Sequence, residues 1–309
     1  MRPRSRAIRV AAWGAVAAGI AAPLARRRAR LPKPVVTAAA IAAPIGLCIA
    51  TPRTRTRDVG TCLLQMWGYI AHYEMPHDDP EALMARVHVD YPVAIDRAIG
   101  LGELPGLRLQ RAFGAPGRVN RAEQVLVWCH WMWFFIPHGT ALYYLVRHPE
   151  RFEHAALHTY AVFDVGVMAY WAIPTAPPWY AATVAEPSRA PGLRRMMVEH
   201  GEQFWEQKWE PMYGFLGGNP LAAMPSLHFA TSVMAAHLLQ EVGPVHGAVG
   251  WSYALTLGFA LVYLGEHYVA DLVAGLALTE GVRAAAPRVA PGLRAISRGI
   301  RRLEVMARG

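Results

Sequence analysis

Apolar residues in this chain fall into long runs separated by polar stretches, with little of the short alternation that marks half-buried strands. A run of about 20 apolar residues predicts a helix that crosses a bilayer. Residues 124–146 have that length with no formal charge, and residues 155–174 have it with Asp164 alone. Residues 224–240, preceded by Leu221, Ala222 and Ala223, predict a third span, and 243–264 a fourth. The run 265–283 predicts a fifth, although it carries Glu266, Asp271 and Glu280. Upstream, 34–50 is a short uncharged span, and the Ala-rich stretch 10–24 can cross, form half a hairpin or lie at the interface. The expected fold is all-α, a polytopic membrane helix bundle.

Charge orients these spans. The first 33 residues hold nine Lys or Arg and no acid, and residues 283–309 hold seven Arg against Glu304. Positive flanks face the cytoplasm, so both termini are expected there. Residues 51–123 balance nine Arg against nine acids, and 175–223 balance four cations against five acids, as extracytoplasmic segments do. Both ends inside requires an even number of crossings, and 34–50 plus the five later spans makes six. That count leaves Arg53, Arg55 and Arg57 outside; a variant in which 10–24, 34–50 and 59–73 all cross leaves the later topology unchanged. The basic start followed by 10–24 resembles a signal peptide, but five cations at 26–33 stand where a cleavage site belongs. Asp79-Pro80, Tyr91-Pro92 and Leu104-Pro105 each introduce an amphipathic stretch, and residues 192–209 suit a helix at the lipid surface.

Composition agrees. Of 309 residues, 54% are hydrophobic and 17% charged, with a mean hydropathy of +0.18. An ordinary soluble domain is about 25% charged. The net charge of +9 therefore points to membrane topology, with nucleic acid excluded as a partner. Cys48, Cys62 and Cys129 lie in apolar runs without metal-type spacing, so no disulfide framework is expected.

Two short stretches carry candidate chemistry: Met224-Pro225-Ser226-Leu227-His228 and Gly265-Glu266-His267-Tyr268-Val269-Ala270-Asp271. Two crossings separate them, so both open at the extracytoplasmic face, where residues 174–180 (PTAPPWY) also lie. His267 and Asp271, four apart, are neighbours if helical. An Asp accepting from one imidazole nitrogen leaves the other as a nucleophile or base. Ser226 and His228 sit at a helix start, where free N–H groups attract phosphate. A nucleophilic His, a second His as acid and an anion site form a phosphoryl-transfer constellation.

These motifs together resemble the type 2 phosphatidic-acid phosphatase superfamily, and within it the inositol-phosphorylceramide synthase (inositol phosphotransferase) branch. PTAPPWY, PSLH and HYVAD stand in that branch's order, and the resemblance covers roughly 120–285. It implies a six-helix core, no metal or other cofactor, and a phospho-histidine intermediate. By position it makes His267 the nucleophile, Asp271 its orienting partner and His228 the acid for the leaving oxygen, with Ser226 holding a phosphate oxygen. The implied substrate is a membrane phospholipid or polyprenyl phosphate, with water or an alcohol as acceptor. The expected location is the plasma membrane. The chain then reads as a basic segment (1–33), a first span with an extracytoplasmic amphipathic segment (34–123), a membrane catalytic core (124–285) and a basic cytoplasmic tail (286–309).

The phosphatase pattern is incomplete. A Lys, six residues, Arg-Pro motif is absent, and Leu261 stands where an Arg is expected six residues before the nucleophile. The substitutes are Lys208, or Arg189, Arg194 or Arg195; His138 beside Pro137 and Tyr180 of PTAPPWY are further candidates for the substrate site. These absences favour a transferase over a broad phosphatase. Asp164 reads as glue between helices, and His77-Asp78-Asp79 as a helix cap. A membrane haem protein, with ligands among His130, His138, His228 and His237, and an inactive lipid-binding protein are the remaining readings.

Overall fold

The computed structural model describes residues 3–114, 119–185, 192–216, 219 and 221–309. In chain order the helices are α1 (Pro3–Ala25), α2 (Lys33–Ala50), α3 (Arg55–Glu74), α4 (Pro80–Met84), α5 (Asp90–Ile99), α6 (Pro105–Phe113), α7 (Arg121–Trp131) and α8 (Phe135–Arg147). There follow α9 (Phe152–Ala172), the single turn α10 (Pro178–Tyr180), α11 (Met196–Trp205), α12 (Trp209–Leu216), α13 (Leu227–Val242), α14 (Pro244–Tyr263) and α15 (Val269–Arg308). Among the described residues no strand forms; His88 and Ala222 each make one isolated parallel bridge to Thr175. The expectation of an all-α membrane bundle holds. Of the helices, α1, α2 and α14 are long and apolar enough to cross a bilayer by length and composition.

Residues 1–79 and 283–309 form one compact unit, and residues 80–282 the other. In the first, α1, α2 and α3 lie side by side. Arg26, beside the α1–α2 turn, donates to Glu74 at 3.0 Å and to Asp78 at 2.9 Å, just past the end of α3. At the opposite ends, Arg57 donates to Glu304 at 3.1 Å and to Thr51 O at 3.1 Å, and Gly309 packs against Ser5. Residues 51–57 thus lie at the same end of the unit as both chain termini.

In the second unit α13 packs against α14, α8 and α9. Val233 and Ala236 meet Ala254, with Phe229 and Trp251 against them. Two elements depart from the expected spans. The run 124–146 is split by a 3-10 turn at Met132–Phe134, because Pro137 has no N–H for the Trp133 carbonyl one turn back. The last span opens at Val269 rather than at 265. Gly265 has φ of +83°, a left-handed conformation that costs glycine little, and it ends α14. Its N–H reaches Val262 O at 3.3 Å while the Glu266 N–H reaches Leu261 O at 3.0 Å, the paired bonds of a Schellman motif.

Candidate active site

The Schellman turn delivers His267 into a short linker, and α15 begins two residues later. His267 and Asp271 are therefore not on one helix, contrary to the simple reading of their spacing. Asp271 sits in the first turn of α15 and accepts the Tyr268 N–H at 2.9 Å and His267 Nδ1 at 3.1 Å through the same oxygen, Oδ2. It is fully buried, and His267 is 5% exposed. The next two N–H groups of the helix start, Val269 and Ala270, donate to Asp96 at 3.2 and 2.9 Å. A carboxylate satisfying orphan donors at a helix start stabilises it by about 0.5–2 kcal/mol. Burial pushes the Asp96 carboxyl up to about 6, against the lowering effect of those two N–H bonds.

The other histidine comes from α13. Ser226 is its N-cap, accepting the Phe229 N–H at 3.3 Å, so the helix begins at Leu227. The Ser226 N–H donates to Asp271 O at 3.0 Å, and a Cβ on Gly275 would stand 2.7 Å from Ser226 O. Glycine at 275 thus lets the starts of α13 and α15 meet backbone to backbone. The result is a line of three groups, with His228 Nδ1 3.2 Å from His267 Nε2 and His267 Nδ1 bonded to Asp271. With Asp271 accepting from Nδ1–H, Nε2 keeps its lone pair and His228 donates to it.

Trp133 and His130 flank His228, with ring centroids at 4.2 and 5.0 Å. Trp133 is fixed by its indole N–H to Thr231 Oγ1 at 2.8 Å. Residues 174–176 are pinned on both sides: Ala176 N–H to His88 O at 3.0 Å, and Ala223 N–H to Thr175 O at 3.0 Å. Tyr91 meets the Thr175 hydroxyl at 2.7 Å.

Arg195 supplies positive charge beside His267. Its Nε and Nη2 bond Glu266, the residue before His267, at 2.9 and 3.2 Å, and Nη2 also donates to Tyr213 OH at 2.7 Å. The guanidinium lies 3.8 Å from the Trp179 ring centroid, so PTAPPWY enters the site through its tryptophan. Burial would lower the Arg195 pKa, but Glu266 and Tyr213 hold it above its ordinary value. Among the described residues three of its five N–H groups are engaged, which leaves the Nη1 pair for an anion.

The remaining sequence candidates lie elsewhere. Tyr180 points its hydroxyl at Met84 Sδ, 3.7 Å away, in a cluster with Leu83, Ala176 and Leu221. His138 stacks flat on Phe163 at 5.5 Å with Phe134 at 4.6 Å, a packed aromatic setting. Lys208 is exposed on the turn between α11 and α12. Arg194 is held by Glu199, and Arg189 lies outside the described residues. His237, one of the histidines considered for haem, bonds Glu280 at 2.7 Å. Asp96, Trp133, Trp179 and Tyr213 had no individual sequence signal, and His130 was raised only as a haem ligand. Only the Trp in PTAPPWY stood inside a recognised motif.

Comparison with known proteins places this geometry in a family. The PAP2 superfamily profile matches residues 96–285, more than half of the chain, and this range holds Asp96, Arg195, His228, His267 and Asp271. The inositol phosphorylceramide synthase catalytic subunit aur1 of Schizosaccharomyces pombe (strain 972 / ATCC 24843) is 31% identical over 120 residues, 37% of this chain. The match spans 27% of that relative's length. No solved structure matches the chain. The chain belongs to the PAP2 superfamily.

Proposed function

We propose that the protein is a membrane phosphotransferase acting on lipid phosphate esters through a phospho-histidine on His267. The observation that carries this reading is the line His228–His267–Asp271, buried at the meeting of two helix starts. In the first step His267 Nε2 attacks phosphorus, an N–P bond forms and the P–O bond to the lipid leaving group breaks. His228 gives its proton to the departing oxygen, and Asp271 stabilises the charge that develops on the His267 ring. In the second step an acceptor O–H attacks, His228 takes its proton, and the N–P bond breaks to release free His267. Arg195 Nη1 neutralises the phosphate, in the role left vacant by Leu261 and by the missing Lys and Arg-Pro. The resting 3.2 Å bond between the imidazoles must open to admit phosphorus.

The donor is a phospholipid or polyprenyl phosphate, and the acceptor an alcohol, as the name of the yeast relative suggests. Both chain ends face the cytoplasm and the site faces outward, with α1, α2 and α3 crossing ahead of the five later spans. The decisive assay supplies purified protein with labelled phospholipids, with and without inositol or diacylglycerol acceptors, and identifies the products. Acceptor-dependent transfer is expected. Free phosphate from many lipid phosphates regardless of acceptor would replace transfer by broad hydrolysis.

A further inference from the structure

The last helix is longer than a membrane requires. At 1.5 Å per residue the 40 residues of α15 measure about 60 Å, against about 30 Å of hydrocarbon. Pro287 and Pro291 fall near its midpoint, and each removes a helical hydrogen bond. From Val289 onward the sequence is amphipathic at 100° per residue. Val289, Leu293, Ile296, Ile300 and Leu303 share one face, and Arg294, Arg298, Arg301 and Arg302 lie on the opposite one.

Both faces are largely open, with Ile300 half-buried. Val289, Ile296 and Leu303 are 49%, 60% and 41% exposed, and the four arginines are exposed too. Those arginines make no ion pair among the described residues; the sole acid of the segment, Glu304, is taken by Arg57 and Arg308. Exposed Arg4, Arg6 and Arg55 belong to the same end of this unit. An apolar stripe backed by uncompensated cations suits a surface that is oily beneath and anionic above.

We propose that residues 289–303 lie along the bilayer surface, with the Val289–Leu303 stripe in the acyl boundary and the arginines on anionic lipid headgroups. A second copy covering the stripe would bury apolar area but leave the arginines unpaired. This inference does not depend on the catalytic reading.

The test uses the full chain in nanodiscs of phosphatidylcholine alone or mixed with phosphatidylglycerol. An environment-sensitive fluorophore is placed at Ile296→Cys or, on the opposite face, at Arg294→Cys, in a background with the three native cysteines replaced. In anionic discs the 296 label is expected to be quenched by lipid-borne quencher and shielded from iodide, while the 294 label stays open to iodide. One kcal/mol per arginine near an anionic surface is about fivefold, so R298Q/R301Q/R302Q should weaken surface partition about a hundredfold. High salt on the unsubstituted tail should act in the same direction, which keeps the test independent of whether the triple variant folds. Equal shielding in both lipid compositions overturns the proposal, as does free iodide access at 296 in anionic discs. Shielding from both quenchers that grows with protein density assigns the stripe to a second copy instead.

Discussion

His228 Nδ1 stands 3.2 Å from His267 Nε2, so the lone pair assigned to attack is already occupied by the proton assigned to the leaving group. That contact would hold the proposed nucleophile and the proposed acid in register before substrate arrives. His267→Ala should abolish turnover and trapped phospho-enzyme together. His228→Ala should slow reaction on lipid substrates by about 10²–10⁴-fold. It should still permit slow labelling from a nitrophenyl ester, whose leaving group needs no proton. Acid-quench trapping of ³²P-labelled enzyme distinguishes the two; labelling that persists in His267→Ala and vanishes in His228→Ala reverses the roles.

Asp271 serves two masters through one oxygen, the Tyr268 N–H and His267 Nδ1. Asp271→Asn keeps the shape but loses the charge that stabilises imidazolium, and kcat should fall by up to about 10⁴-fold. Substrate affinity should hardly change. A variant whose defect lies in KM alone would make Asp271 structural only.

Arg195 is held by Glu266 and Tyr213 and stacked on Trp179. Arg195→Gln should cost about 10²–10³-fold in kcat, the usual loss when a donor to developing charge is removed. Arg195→Lys should recover little, because an ammonium cannot keep the fork to Glu266 while facing phosphate. Full activity in Arg195→Gln would return the phosphate-binding role to Lys208 or Arg189.

Asp96 carries a pH signature. Its carboxyl titrates at about 6 when folded, against an ordinary value of 3.8. Between those values the folded protein binds more protons than the unfolded chain, so this group's contribution to stability falls as pH rises from about 4 to about 6 and is flat above. Asp96→Asn should flatten that part of the Tm–pH curve measured in detergent. Asp96→Ala should lower Tm at pH 7 and reduce kcat, since the start of α15 loses its cap.

Much of this protein is legible in the chain itself. Apolar helices are readable because a bilayer demands about 20 apolar residues whatever the neighbours are. PSLH and HYVAD are readable because histidines and an aspartate at the mouths of spans are costly to keep. The structure alone determined what surrounds them. Arg195 lies 71 positions from Glu266, and Asp96 lies 173 from Val269, so no periodicity links the pairs; only the packing of helices brings them together. That Arg195 and Trp179 stand beside Glu266 while Lys208 is exposed and Tyr180 turns to Met84 depends on side-chain directions at an irregular loop. The i,i+4 spacing of His267 and Asp271 suggested a helix, but the contact forms across a helix boundary. Local spacing names which residues can meet, while the backbone turn at Gly265, ending one helix so that another can start, decides how they do.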